Sequence, residues 1–205
     1  MTLQKIVLLG AGGHAKSCID VIEHTGKYEI AGLIGEVGQL GTRISGYEVI
    51  GTDFDLVQFH KEIKYAINCI GGILSQNIRE NVSQNAKKVG YEFPTLISPH
   101  ALVSRNAHVG EGSVVFHGAI INSGAYLEED CIVNSQSLIE HDVKIGKFSH
   151  ISTRVTINGN VSIGASSFLG SGSIIKEGIK IGDRCLVGMG AIVRQDLSPG
   201  TKYVG

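Results

Sequence analysis

Residues 133–163 read Val-Asn-Ser-Gln-Ser-Leu-Ile-Glu-His-Asp-Val-Lys-Ile-Gly-Lys-Phe-Ser-His-Ile-Ser-Thr-Arg-Val-Thr-Ile-Asn-Gly-Asn-Val-Ser-Ile. An aliphatic side chain stands at every sixth place: Val133, Ile139, Ile145, Ile151, Ile157 and Ile163. The column runs on in both directions, from Ile97, Val103, Val109, Val115, Ile121 and Leu127 to Leu169, Ile175, Ile181, Val187 and Val193. A second column follows four places after each aliphatic and is mostly small, as in Ala101, Ala107, Ser113, Ala119, Ala125, Cys131 and Ser137. The position directly after the aliphatic is often glycine, as at Gly110, Gly146, Gly164, Gly170, Gly182 and Gly188. A period of six is neither the 3.6 of a helix nor the 2 of an ordinary strand. The chain must turn a corner every six residues. Three short sides then close one triangular coil of 18, which predicts a parallel β-helix with aliphatics inside. Glycine in these coils allows backbone geometry that a Cβ would obstruct.

The first part of the chain has a different grain. Ile6-Val-Leu-Leu9 predicts a buried strand, followed by Gly10-Ala-Gly-Gly-His-Ala15 and a helical pattern from Lys16 to Glu23. Further strands are expected at Tyr28–Ile34, Tyr47–Ile50 and Tyr65–Ile70. Helices are expected at Phe54–His60, capped by Asp53, and at Ser75–Val89, stopped by Gly90. The alternation predicts a small parallel α/β domain. The expected division is 1–93 for a Rossmann-like domain and 94–205 for the all-β helix. Gly10-x-Gly12-x-x-Ala15, placed between a strand and a helix, fits a loop whose backbone amides cradle phosphate. An NAD site would want an acid near the end of the second strand, and Glu36 keeps that alternative open.

Composition agrees with thin coils and a ligand loop. The 205 residues include 28 Gly, 3 Pro and no Trp, with 6% aromatics. Glycine at about twice the usual share, without a three-residue repeat, excludes collagen and leaves a globular chain. A net charge of −1 gives no reason to expect nucleic-acid binding. No apolar run reaches the roughly 18 residues of a membrane span. The N-terminus shows no signal-peptide pattern, so a cytoplasmic protein is expected. Cys18, Cys69, Cys131 and Cys185 form no CxxC pair, which points to buried reduced thiols. The scattered histidines, such as His24, His60, His100 and His108, give no metal-ligand spacing, and no metal is expected.

An α/β domain opening on Gly-Ala-Gly-Gly-His, joined to hexapeptide coils, resembles the left-handed β-helix nucleotide-sugar acetyltransferases. That family includes the sialic-acid O-acetyltransferase-like proteins and the N-acetyltransferases of UDP-4-amino-4,6-dideoxy sugars in bacillosamine synthesis. The resemblance covers the chain from Lys5 to Gly205. It implies left-handed coils, a homotrimer, acetyl-CoA as co-substrate and a nucleotide sugar, by expectation UDP-linked, held by the first domain.

Direct acetyl transfer needs a base, an oxyanion donor and two substrates in reach. His141, two places after interior Ile139, should face outward, and imidazole changes charge near neutral pH. The resemblance makes His141 the general base, Asp142 its orienting acid with Glu140 as the alternative, and Asn134 a member of their hydrogen-bond network. It places His150 at the acetyl end of acetyl-CoA, and Gly159, Ser171 and Met189 along the CoA. Lys176, Arg184, Arg194 and Lys202 are candidate phosphate partners. Gly12, Gly13 and His14 match the nucleotide-sugar loop, and Gly71 and Gly72 end a strand at the expected crevice. The stretch Gly32-Leu-Ile-Gly-Glu36 lacks the Asp that relatives carry there. Sugar O-acetylation is the rival activity, and a non-catalytic sugar-nucleotide-binding module is the rival class.

Overall fold

The computed structural model describes residues 3–71 and 76–205. The chain forms two compact units, Met1–Leu96 and Ile97–Gly205. Gly72 and the start of the helix expected at Ser75 lie outside the described residues.

The first unit is built on a five-stranded sheet: β1 (Gln4–Leu9), β2 (Tyr28–Ile34), β3 (Arg43–Ile44), β4 (Tyr47–Gly51) and β5 (Tyr65–Asn68). The order is β3-β4-β2-β1-β5. β1, β2, β4 and β5 pair in parallel. Ile6–Leu9 is wholly buried, as expected of a strand covered on both faces. β3 and β4 add an antiparallel hairpin, turned by Ser45 and Gly46, both at positive φ. α1 spans Gly13–Thr25, α2 Leu56–Phe59 and α3 Gln76–Val89.

Two local expectations are corrected. Thr52, not Asp53, opens the segment before α2. A 3₁₀ turn, Asp53–Asp55, intervenes, and the Asp55 carboxylate accepts from the Thr52 N–H at 2.8 Å and its hydroxyl at 2.9 Å. β5 stops at Asn68 rather than Ile70. The Asn68 side-chain oxygen accepts the Ile70 N–H at 3.0 Å, an Asx turn that takes the chain out of the ladder.

The second unit is a parallel β-helix. Two-residue strands stack into three faces. The first face holds six strands, Leu102–Val103 to Ile192–Val193; the second holds five, His108–Val109 to Lys180–Ile181. The third begins at Leu96–Ile97 and ends at Lys202–Tyr203. Up to the last coil, where Leu186 pairs with Lys202, each strand residue pairs with the one 18 places on, as in Ile121 with Ile139 and Ile139 with Ile157. The aliphatic column forms the core, with Leu127, Val133, Ile139, Ile151 and Ile157 fully buried. Buried corner serines are satisfied vertically: the Ser149 hydroxyl donates to the Gly164 carbonyl and accepts the Ser167 N–H.

The corners revise the part expected of glycine. Left-handed φ recurs every six residues from Gly112 to Gly190, three places after the aliphatic. Gly124 and Gly178 belong to this column, but so do Asp130, Asp142, Phe148, Arg154 and Arg184. That conformation turns each amide onto the preceding coil, as in Asp142 N–H to the Ser123 carbonyl at 3.2 Å. The glycines directly after the aliphatic do not take positive φ. They allow close stacking: a Cβ on Gly146 would lie 2.6 Å from the Ala165 nitrogen.

Candidate active site

In the first unit, a cleft of about 390 Å³ opens where β1, β2 and β5 end. β1 has β2 on one side and β5 on the other, so the chain crosses over at β1, where open α/β sheets bind ligands. Gly10–His14, Ile34–Glu36 and Cys69–Gly71 supply most of the lining. Gly12 is the N-cap of α1 and offers no side-chain cap, so the 13-residue helix opens onto the cleft with its positive end bare of a capping side chain. A Cβ on Gly12 or Gly13 would meet nothing within 4 Å. Packing therefore does not demand glycine there, and the bare backbone leaves room in the cleft.

His14 also lines the cleft. Its ring lies against Gly71, where a Cβ would come within 2.7 Å of Cγ. It also hydrogen-bonds the Cys18 thiol, one turn along α1. Cys18 and Cys69 share a hydrogen bond that draws Cys18 down to about 6. Burial pushes Cys69 well up. Lining residues that the sequence reading missed as ligand groups include Gln39, Asp53 and, on α3, Ile78 and Val82. Gln39 braces the loop, donating to the Ala11 carbonyl at 3.3 Å and accepting the Glu36 N–H at 3.0 Å. Partial burial raises the Asp53 carboxyl above its ordinary range. The sequence pattern makes Asp53 a cap; in the fold it lines the cleft, as Glu36 does.

In the second unit, His141 and Asp142 stand at the corner between the first and second faces. Both are exposed, and His141 Nδ1 lies 2.9 Å from Asp142 Oδ2. The bond ties one ring nitrogen to a carboxylate, which orients the ring and sets its tautomer. Glu140 is engaged elsewhere, accepting from the Asn122 carboxamide at 2.9 Å on the coil before. Asn134 is not joined to the pair. It sits one corner earlier, and its side-chain oxygen accepts the Ser135 N–H at 2.8 Å. Its column turns off a different face, which separates it from His141.

Gly159 stacks directly on His141. Lys176 and Arg194 occupy the same edge, on later coils. Ser171 and Met189 lie on the edge of Asn134; Ser171 Oγ is 2.9 Å from Ser152 Oγ, and Met189 is 79% exposed. His150, expected at the acetyl end of acetyl-CoA, lies on a different face from His141. It is 6% exposed, on the third face, with its ring edge-on to Phe168 at 5.0 Å.

Hexapeptide coils following an α/β domain with a glycine loop define a class, the hexapeptide acyltransferases. Comparison with known proteins sharpens this. Residues 5–86 match the PglD N-terminal domain, and residues 160–195 match the hexapeptide repeat of succinyl-transferase. The acetyltransferase domain of PglB from Neisseria gonorrhoeae, in complex with acetyl coenzyme A, is 30% identical. Its TM-score is 0.89, over 97% of this chain and 95% of that one. PerB from Caulobacter crescentus, in complex with CoA and GDP-perosamine, is 28% identical at a TM-score of 0.89, over 97% and 92%. The protein L142 of Acanthamoeba polyphaga mimivirus is 32% identical over 110 residues, and the match spans 21% of that protein. The chain belongs to the left-handed β-helix nucleotide-sugar acetyltransferases, a family of acetyl-CoA-dependent enzymes. Among the described residues no helix is long and apolar enough to cross a membrane.

Proposed function

We propose that the enzyme transfers acetyl from acetyl-CoA to the amino group of a nucleotide-linked 4-amino-4,6-dideoxy sugar, as a cytoplasmic homotrimer. The observation that carries the reading is the exposed His141–Asp142 pair. With Nδ1 donating to Asp142, Nε2 keeps its lone pair for a proton. As the sugar amine attacks, His141 takes the amine proton, and Asp142 steadies the resulting imidazolium. Bound acetyl-CoA supplies the activated thioester. The cleft at Gly12 and Gly13 takes the diphosphate on the α1 amides, and His14 and Gly71 close its side.

The first face supports the trimer. Leu102, Ile120, Ile174 and Ile192 are 67%, 36%, 40% and 43% exposed there, an apolar stripe on a single chain. Three copies packed around that face would set the His141 edge of one beside the Ser171–Met189 edge of the next. Those two edges carry the candidate CoA contacts, and a composite site would reunite them.

UDP is the nucleotide the family resemblance implies. GDP is the second reading, favoured by PerB bound to GDP-perosamine and by Asp53, since a carboxylate can accept from guanine's N–H edge.

The test is a screen of UDP-, GDP-, CMP- and TDP-linked amino sugars with acetyl-CoA, following thiol release. The expected result is turnover with one nucleotide class and a loss of about 10²–10⁴-fold in His141→Ala. Full activity in His141→Ala overturns the assignment of the base. Turnover only of the matching hydroxy sugars, run beside the amino sugars, would make the enzyme an O-acetyltransferase.

A further inference from the structure

The His141–Asp142 pair lies in space that two side chains would otherwise fill. Gly159 is the residue stacked on His141, 18 places on. A Cβ there would come within 2.6 Å of both Cε1 and Nε2 of the imidazole, and 3.2 Å of Cδ2. Gly124 is the residue stacked beneath Asp142, 18 places back. A Cβ there would run into Asp142 Oδ1 and lie 3.3 Å from Cγ.

The two glycines differ in what else asks for them. Gly124 has φ +78, so its corner favours glycine in any case. Gly159 has no positive φ, and the three atoms nearest its Cβ would all belong to the His141 ring. In the same column Ser123 and Glu177 carry side chains, so the helix itself does not require glycine there. Gly178 provides the contrast: φ +74 in the Gly124 column, with nothing within 4 Å of an added Cβ.

Resting on the reading of His141 as proton acceptor, we infer that Gly159 and Gly124 are positioning residues, whose missing Cβ atoms hold ring and carboxylate in the one arrangement that joins Nδ1 to Asp142. The glycine after the pair sets the tilt of the imidazole. The glycine before it sets the carboxylate. Neither moves a proton itself.

The experiment compares acetyl transfer by Gly159→Ala, Gly124→Ala and Gly178→Ala in the intact enzyme. A misplacement near 1 Å can cost about 10²-fold in rate. The first two variants are expected to lose kcat on that scale, with a pH–rate profile shifted from wild type, and in Gly124→Ala, which lies outside the candidate CoA contacts, KM for acetyl-CoA stays within about threefold. Gly178→Ala, with the same backbone strain and open space, is expected to keep wild-type kcat. In a His141→Ala background, Gly159→Ala is expected to add no further loss, since coupled residues are not additive. Wild-type kcat in both Gly159→Ala and Gly124→Ala, with His141→Ala dead, overturns the inference alone. Equal losses in all three glycine variants also overturn it, by assigning the effect to backbone strain. Full activity in His141→Ala removes the reading and the inference together. If Gly159→Ala fails to fold, Gly124→Ala, whose methyl meets a single rotatable carboxylate, carries the test.

Discussion

At the scale of the residue, the site is a matter of one hydrogen bond. Asp142 is 61% exposed and holds no packing role, so Asp142→Asn should leave thermal unfolding unchanged. It should lower kcat by about 10–100-fold, the usual cost of losing a partner that orients a histidine. Steady-state kinetics beside a melting curve checks both halves. Tyr91 is the opposite kind of residue. It is buried, and its hydroxyl donates to the Leu56 carbonyl at 3.0 Å. Tyr91→Phe strands that acceptor and should cost about 1 kcal/mol in denaturant unfolding. Burial also pushes the Tyr91 phenol from 10 to about 12. The folded state thus holds its proton longer than the unfolded state. Its contribution is complete below pH 10 and falls as pH rises from 10 to 12, and Tyr91→Phe should abolish that slope.

At the scale of the element, sequence reading went as far as periodicity and propensity carry it. The aliphatic column was legible because every coil repeats the same demand on one side chain. β2, predicted at Tyr28–Ile34, has those bounds in the structure. The Asp53 cap was misread because Thr52 and Asp55 close the turn between themselves, leaving Asp53 to face the cleft. Gly124 was invisible because its reason lies 18 residues away, in Asp142. A search for glycines spaced 18 from polar corner residues would have found it. The Thr52–Asp55 turn carries its own prediction. Its two hydrogen bonds depress the Asp55 carboxyl. That stabilisation is present above the ordinary carboxylate range and is lost as pH falls through the depressed value. Thr52→Ala should lower the melting midpoint at pH 7, and the deficit should close in acid.

At the scale of the whole molecule, each unit has its own core, and that of the second is a stack of aliphatics in which each coil depends on its two neighbours. Ile157→Ala in mid-column should cost about 2–5 kcal/mol, because the coils above and below cannot collapse into the gap. Chemical unfolding of the purified enzyme measures it. The exposed stripe on the first face gives a companion prediction. Ile120→Lys should turn the proposed trimer into monomers on sizing chromatography, with loss of acetyl transfer and little change in coil folding.

The pairing of each residue with its neighbour 18 places on has an evolutionary and engineering consequence. Removing six residues from an early coil leaves the hydrophobic column in register, because any side can stand in for any other. Yet every later outward residue then moves to a different side of the prism. The enzyme would stay folded while His141 changed its address relative to the coils before it. Removing 18 shortens the prism and keeps every address. Folding reads this sequence modulo six, and catalysis reads it modulo eighteen.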